Sequence, residues 1–210
     1  VISHDHYDHL SREAIQYFAS TSTVFYVPLG VSAYLIGWGV DGTAITELDW
    51  WDEVRHQDIR LACTPAQHFS GRSGTTENQT LWASWVVQSS DHSVFFSGDS
   101  GYDTHFLKIG EKYGPFDVTF MENGQYNTMW PMTHLFPQET VQAHQDLNGV
   151  KLQPIHWGMF SLSNHAWDEP VQQTLQFADT HGQSVLVPKI GSIVDPHQAS
   201  VAENWLSLPK

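Results

Sequence analysis

The most constraining feature of this 210-residue sequence is a cluster of metal-ligand side chains near its start, His4-Asp5-His6-Tyr7-Asp8-His9. In a strand-like segment, side chains two residues apart point to the same side, so His4 and His6 can hold one ion together. Asp8 and His9 follow where the chain turns toward a helix, and they can face a second ion. Burying so many imidazoles and carboxylates without partners costs free energy that a bound metal removes. The pattern therefore predicts a metal site; a solvated loop and an artificial tag are the alternatives.

Three further side chains of the same chemical kind follow apolar, strand-like runs later in the chain. His68 and His156 each come after such a run, and Asp99 follows another with Gly98 directly before it. A histidine after a strand is more often a structural residue, so each of these positions alone is weak. Hydrolytic metal pairs take their ligands from several distant loops. Together with the first cluster, the three residues therefore predict one shared centre.

Composition narrows the functional class. Nine Lys and Arg against 23 Asp and Glu give a net charge of −14, which disfavours nucleic-acid binding through a basic patch. Cys63 is the single cysteine, so an internal disulfide and a cysteine-rich zinc module are excluded. Of the 13 histidines, several outside the motifs, among them His144 and His181, are expected at the surface. A bound metal could still attract an anionic substrate to this acidic chain.

Strand-like and helix-like segments alternate along the chain, which predicts a layered α/β domain. The predicted strands are 24–28, 60–64, 81–88, 93–97, 117–121, 151–155 and 184–188, and the predicted helices are 11–19, 31–38, 104–113, 137–147 and 169–181. Ser11, Pro137 and Gly182 are typical helix-boundary residues. The chain opens on Val-Ile-Ser-His without a methionine, like the end of a buried strand. We therefore expect earlier strands of the domain to be missing.

Five segments together resemble the motifs of the metallo-β-lactamase superfamily: HxHxDH at 4–9, TPAQH at 64–68, SGDSGY at 97–102, KYGPFD at 112–117 and IHWGMF at 155–160. HxHxDH is typical of the whole superfamily. TPAQH and HWGMF are similar to the branch of N-acyl-phosphatidylethanolamine-hydrolysing phospholipase D and its RomA-like bacterial relatives. The resemblance implies a four-layer αβ/βα sandwich, and we expect the predicted strands to alternate between its two sheets. Residues 1–210 would form this single domain, incomplete at its N-terminus.

The resemblance also implies how seven side chains divide between two divalent metals. The first metal would be held by His4, His6 and His68, the second by Asp8, His9 and His156, with Asp99 bridging both. The family resemblance favours zinc, and a donor set of imidazoles and carboxylates also accepts Mn or Fe.

Three residues are expected to take part in catalysis: Asp8, Asp99 and His134. His134 lies in a loop that the branch places over the metals, where it would contact the substrate phosphate or assist the leaving group. Asp5 would orient a ligand imidazole, with a solvent-facing position that has no role as the alternative. The apolar stretch beside His134 would suit an acyl chain, with core packing as the alternative; its residues are Tyr126, Met129, Trp130, Met132 and Phe136.

The expected function is hydrolysis by a hydroxide generated at the dinuclear centre. The branch resemblance implies a phosphodiesterase of the N-acyl-phosphatidylethanolamine phospholipase D type. A hydrolase of a lactone or another carboxylic ester is the alternative, and a non-catalytic metal-binding domain is disfavoured because all seven ligand positions are filled. The substrate would be a small-molecule or lipid-like phosphodiester rather than a nucleic acid. No transmembrane segment is predicted; peripheral membrane contact, homodimerisation and the cellular compartment stay open, with the cytoplasm slightly favoured.

Overall fold

The computed structural model describes residues 1–193 and residue 195. Its helices are Arg12–Ala19 (α1), Ser32–Gly37 (α2), His105–Tyr113 (α3), Pro137–Asp146 (α4) and Glu169–Thr180 (α5), with a short 3₁₀ helix at Gly42–Ala44. Its strands are Phe25–Pro28 (β1), Ile45–Leu48 (β2), Glu53–His56 (β3), Ile59–Thr64 (β4), Ser84–Gln88 (β5), Ser93–Phe96 (β6), Phe116–Glu122 (β7), Gly149–Ile155 (β8) and Ser184–Val185 (β9). Among these described residues, no helix is both long enough and apolar enough to cross a bilayer.

The predicted helices and strands are all present, because their boundaries carry strong local signals. The Ser11 hydroxyl accepts a hydrogen bond from the Ala14 amide and caps α1. Pro137 occupies the first turn of α4, where its missing amide hydrogen costs nothing. Gly182 follows α5 with a φ of +64°, a conformation that ends a helix and that glycine adopts without strain.

Two strands, β2 and β3, escape the prediction because they are short and polar. Most residues of both strands are exposed or only half-buried, and β3 alternates between charged Glu53 and Arg55 and less exposed neighbours. Neither segment therefore shows the apolar run that identifies the buried strands.

The large sheet contains strands β3 to β9 in the order in which they occur in the chain. Strands β3 to β6 pair antiparallel, whereas β6 to β9 pair parallel with α3, α4 and α5 as their connecting helices. Strands β1 and β2 form a separate parallel pair. The expected alternation of strands between two sheets is therefore wrong, because consecutive strands joined by a short turn or one helix tend to become neighbours.

Packing nevertheless confirms the four expected layers. Ile15 of α1 and Leu35 of α2 pack against Val27 of the small sheet. The small sheet in turn packs on the large one, where Leu48 of β2 belongs to the same buried cluster as Trp85 of β5. On the opposite face, Val86 belongs to the core beneath α3, α4 and α5. Side chains of a strand alternate between its two faces, so Trp85 and its neighbour Val86 reach different layers.

The N-terminal segment lies between the two sheets and is hydrogen-bonded to both. The Ile2 amide donates to the Tyr26 carbonyl of β1 (3.1 Å), while the Ser3 carbonyl accepts from the Ala83 amide just before β5 (2.8 Å). The Trp85 indole also donates to the Ile2 carbonyl (2.8 Å). These bonds fix the start of the histidine cluster at the junction of the sheets.

The expected surface position of His144 is wrong, because this side chain is fully buried on the inner face of α4. Its Nδ1 atom lies 2.7 Å from the Thr119 hydroxyl oxygen of β7. The ring also occupies the space beside Gly149, where an added Cβ would come within 2.3 Å of Nδ1. The α4 sequence is mostly polar, so its pattern does not reveal which face is buried. Burial lowers the pKa of His144 to about 4.

This buried histidine predicts a loss of stability in mild acid. An unfolded histidine binds its proton near pH 6.5, whereas folded His144 binds it only near pH 4. The free energy of unfolding therefore decreases as the pH falls between these values, with a contribution from His144 of roughly 2–3 kcal/mol. In urea unfolding at pH 7 and pH 4.5, we expect His144→Gln to show a smaller difference than the wild type.

The exposed His181 at the end of α5 provides the control position. His181→Gln should retain the wild-type difference between the two pH values. The same pH dependence in the wild type and in His144→Gln would contradict a role for His144 in acid sensitivity.

Candidate metal centre

The candidate site lies at one edge of the large sheet, because four strands end there in the same direction. Strands β6, β7 and β8 are parallel, and two antiparallel pairings turn β4 into the same direction as β6. His68 lies beyond β4, Asp99 beyond β6 and His156 directly after β8, while Glu122 is the last residue of β7. The N-terminal segment brings His4 to the same edge.

The first group of candidate ligands comprises His4, His6 and His68. His4 Nε2 lies 2.9 Å from His6 Nδ1, and His68 Nε2 lies 3.3 Å from the same atom. Two nitrogens that bind one tetrahedral zinc ion at 2.0–2.1 Å stand about 3.3 Å apart, so these separations suit a shared ion. The residues meet at a turn rather than in a strand, since the His6 carbonyl accepts from the amides of His9 and Leu10. His4 and His6 therefore converge as predicted, but the predicted strand conformation of this segment is wrong.

The second group comprises Asp8, His9 and His156. The Nε2 atoms of His9 and His156 are 3.2 Å apart, although 147 positions separate the two residues. Asp8 Oδ2 lies 3.3 Å from His156 Nε2 and 3.4 Å from His9 Nε2. One nitrogen or oxygen atom of each residue is therefore directed toward a common point.

Asp99 lies between the two groups. Its Oδ2 atom is 3.9 Å from His4 Nε2, 3.8 Å from His68 Nε2 and 3.1 Å from His9 Nε2. Its Oδ1 atom is 3.5 Å from His156 Nε2 and is buried without a hydrogen-bond partner. A buried carboxylate oxygen without a donor is costly, and a cation would satisfy it. The arrangement thus fits a carboxylate shared by two ions.

Gly98 allows the backbone to adopt the turn that places Asp99 between the two groups. Its φ of +58° is in the left-handed region, and an added Cβ would lie 2.8 Å from both the Ala83 carbonyl oxygen and the Ser3 side chain. Glycine therefore allows the turn after β6 to approach the N-terminal segment closely.

The pKa shifts of His4, His68 and Asp99 favour the protonation states that bind metals. Burial, reinforced by the neighbouring His9, lowers the pKa of His4 well below its ordinary value. Burial also lowers the pKa of His68 to about 4. For Asp99, burial raises the pKa, but the hydrogen bond from His9 and the charge of His156 outweigh it, so the pKa is lowered. Neutral imidazoles and an ionised carboxylate are the forms that bind metals.

In the second group, nearby carboxylates raise the pKa values of the histidines. Burial lowers the pKa of His9 and of His156, but hydrogen bonds to Asp8 outweigh burial and raise the two values to about 9 and about 11. The charge of Asp99 acts in the same direction on both histidines. These carboxylates therefore favour positive charge in this part of the site, whether it is carried by protons or by metal ions.

Neighbouring groups hold the ligand rings and loops in place. The Thr133 carbonyl accepts a hydrogen bond from His68 Nδ1 at 3.1 Å, which leaves Nε2 for an ion. The hydrogen bond recorded for the Asp5 side chain comes from the Gly71 amide (2.7 Å) rather than from an imidazole, unlike the expected role. Arg72 Nη1 donates to the carbonyls of Asp5 (2.6 Å) and Leu10 (2.8 Å). The loop after His68 is thus fixed to the turn that carries the first motif.

His134, the predicted substrate-contacting residue, lies beside both ligand groups. Its ring centroid is 5.2 Å from that of His68 and 5.6 Å from that of His156. Its Nδ1 atom is 3.1 Å from Glu122 Oε1. Burial lowers the pKa of His134, but the negative charge of Glu122 and this hydrogen bond outweigh it, so the pKa is raised.

Glu122 is a site residue that the sequence analysis missed. The predicted strand 117–121 stops one residue before it, although an acid at the end of an apolar run was the signal that identified Asp99. Glu122 is fully buried and lies between His134 and His156. Its Oε2 atom has no hydrogen-bond partner and is 3.7 Å from His156 Nδ1.

The predicted apolar stretch beside His134 divides into exposed and anchored residues. Met129 and Met132 are 79% and 56% exposed. Tyr126 is buried and donates a hydrogen bond to Glu169 (3.0 Å), and the Trp130 indole donates to the Gln125 carbonyl (2.8 Å). The methionines are therefore free to contact a ligand, whereas Tyr126 follows the core-packing alternative.

Comparisons with known proteins agree with this fold. A family profile described as "Beta-lactamase superfamily domain" matches residues 1–157. An uncharacterised protein of Mycobacterium tuberculosis is 44% identical over 99% of this chain and 57% of its own length. A Caenorhabditis elegans protein named N-acyl-phosphatidylethanolamine-hydrolyzing phospholipase D 1 is 36% identical over 77% of this chain and 49% of its own length. The chain thus spans about half the length of these curated relatives.

Solved structures support the fold independently. The structure of Igni18, described as a novel metallo hydrolase from Ignicoccus hospitalis, superposes with a TM-score of 0.72 over 92% of this chain and 76% of that one. Its sequence identity of 20% makes this a similarity of fold alone. Fold, family profile and the predicted branch resemblance all agree. The chain therefore belongs to the metallo-β-lactamase superfamily of metal-dependent hydrolases.

Proposed function

We propose that this chain is a hydrolase domain that cleaves phosphodiesters of the N-acyl-phosphatidylethanolamine type at a dinuclear metal centre. The observation that carries the proposal is the position of Asp99, whose carboxylate lies within 3.1–3.9 Å of four imidazole nitrogens from two ligand groups. The names of the worm and yeast relatives support the substrate class, since both are called N-acyl-phosphatidylethanolamine-hydrolyzing phospholipases D. The proposal takes residues 1–210 as one domain.

The seven candidate ligands fit divalent ions that accept nitrogen and oxygen donors. Zinc suits the imidazole-rich set best, and Mn or Fe would also be accepted. When bound, two such ions would supply Lewis acidity and lower the pKa of a water molecule toward neutrality. The protein itself contributes the positions of the donors, the negative charge of Asp8 and Asp99, and a histidine beside the ligands, His134.

Exposed apolar groups near His134 suit a substrate that carries an acyl chain. Met129 and Met132 lie on one loop, and Met159 and Phe160 on a second loop are 79% and 48% exposed. The Gln125 side chain joins the loops, because it donates to the Phe160 carbonyl and accepts from the Leu162 amide. A small cavity of about 130 Å³ lies between them, lined by residues that include Gln125, Met159 and Phe160.

Metal stoichiometry provides the first test of the proposal. After chelation and reconstitution with zinc, elemental analysis should find about two ions per chain, because Asp99 lies between two groups of three candidate ligands. His156→Ala should lower the number to about one, since this residue belongs to the second group. A wild-type chain that binds no metal would instead favour a binding domain without catalytic activity.

The roles of Asp99 and His134 predict a ranking of two variants. Asp99→Asn should abolish phosphodiester hydrolysis more completely than His134→Ala, because the carboxylate contacts residues of both ligand groups. Loss of a histidine that assists the leaving group should lower kcat by about 10²-fold to 10⁴-fold. The measurement is kcat with bis-p-nitrophenyl phosphate, together with the metal content of each variant. Equal losses in two variants that both retain two metals would contradict the ranking.

The apolar loop predicts a dependence on acyl-chain length. Two further buried methylenes should raise kcat/KM roughly tenfold, at about 0.8 kcal/mol per methylene. Replacing Met129 and Met132 by serine should weaken this dependence, whereas Val150→Ser serves as an exposed apolar control near the start of β8, away from the ligand edge. Rates with lactones, measured in parallel, decide between the two reaction classes. A flat response to chain length together with faster lactone hydrolysis would favour the carboxylic-ester alternative.

A further inference from the structure

We propose that Glu122 is a positioning residue that fixes the orientation and the tautomer of His134. The inference rests on the proposed function, because it assigns a partner to the histidine that would contact the substrate. It adds a residue outside the seven candidate ligands and outside every motif that identified the site.

The backbone of Glu122 is held from two sides, so its carboxylate has a defined position. As the last residue of β7, Glu122 is in register with Ile155 of β8. Its amide donates a hydrogen bond to the Ser97 hydroxyl (2.9 Å), and its carbonyl accepts one from the Thr140 hydroxyl of α4 (3.3 Å). A rigid strand end is a suitable support for a group that orients another residue.

One carboxylate oxygen of Glu122 contacts both the His134 ring and the backbone just before α4. Oε1 accepts from the Leu135 amide (2.8 Å) and lies 3.1 Å from His134 Nδ1. An ionised carboxylate can only accept hydrogen bonds, so Nδ1 of His134 must carry a proton. This leaves Nε2 as the ring nitrogen that is available to a substrate or to water.

The surroundings of the His134 ring show why its orientation matters. The ring lies between His68 of the first group and His156 of the second, and it is nearly parallel to His156, with an angle of 18°. A half-turn of the ring about its Cβ–Cγ bond would place Cδ2 where Nδ1 now lies, and the contact with Glu122 would be lost. The two hydrogen bonds on Oε1 tie the ring to the same loop backbone and oppose such a rotation.

A packing role alone does not account for a carboxylate at this position. Glu122 is completely buried, and its second oxygen has no hydrogen-bond partner. That oxygen faces His156 Nδ1 at 3.7 Å, which is itself buried and unpartnered. Burying a carboxylate is costly, and an apolar side chain would fill the same space without that cost. The contacts of the carboxylate with the neighbouring rings therefore point to a role beyond packing.

A double-mutant cycle tests whether Glu122 acts through His134. With saturating zinc and bis-p-nitrophenyl phosphate, Glu122→Gln should lower kcat by about tenfold to a hundredfold. A carboxylate only accepts hydrogen bonds, whereas an amide can also donate to Nδ1 and therefore no longer selects one tautomer. In a His134→Ala background, the same substitution should change kcat by less than about threefold, because the residue to be positioned is absent. Additive losses, or a wild-type kcat in Glu122→Gln with two zinc ions bound, would overturn the proposal.

Glu139→Gln is the matched control. Glu139 is a nearby acid that caps α4, since its side chain accepts a hydrogen bond from the Phe136 amide (2.9 Å). This bond holds a backbone amide rather than a histidine ring, so loss of the negative charge at Glu139 should leave kcat and zinc content at the wild-type values. A loss as large as that of Glu122→Gln would show a general effect of charge or helix capping and would overturn the assignment.

Nitrogen-15 NMR of the histidine rings provides a readout that does not depend on activity. In the zinc-loaded wild type, His134 should show a protonated Nδ1, although free neutral imidazole side chains favour a proton on Nε2. In Glu122→Gln, this Nδ1–H signal should shift or weaken. An unprotonated Nδ1 in the wild type would overturn the proposal even if the variant failed to fold. If no phosphodiester is hydrolysed, the proposed function fails while the NMR result still decides the role of Glu122.

Discussion

The site depends on one buried carboxylate, Asp99, surrounded by imidazoles at the junction of two sheets. The ion pairs that Asp99 forms within the described part of the chain all come from histidines, namely His4, His9, His68 and His156. Such a group is tolerable only where positive charge is available, either from protons or from metal ions. The histidines, the strand ends that carry them and the close approach permitted by Gly98 all serve this electrostatic requirement.

The candidate ligands could be recognised in the sequence because their signals are local. His4, His6, Asp8 and His9 lie within six residues, so their spacing is directly visible. The later candidate ligands follow apolar runs that clearly indicate strands. The order of strands could not be predicted in the same way. It depends on which neighbours pair after each short connection, and the expected alternation between sheets proved wrong.

Two other errors have a common physical cause. Glu122 and His144 are polar residues whose burial is decided by distant partners: His134 and Leu135 for the first, Thr119 and Gly149 for the second. Polar residues are mostly exposed in folded proteins, so a polar side chain is predicted at the surface by default. The local sequence does not show which distant residues will pack over it. Buried polar contacts of this kind become visible only when the chain is folded.

The distance along the chain between His9 and His156 has a consequence for biosynthesis. The candidate ligands of the first motif leave the ribosome well before His156, and the second group is completed only after β8 has been made and has paired with β7. Closing so long a loop has an entropic cost that the contacts of the folded core must offset. A nascent chain would therefore expose an incomplete chelating motif from the synthesis of His9 until that of His156, and full metal loading would mark the point at which these two segments have come together.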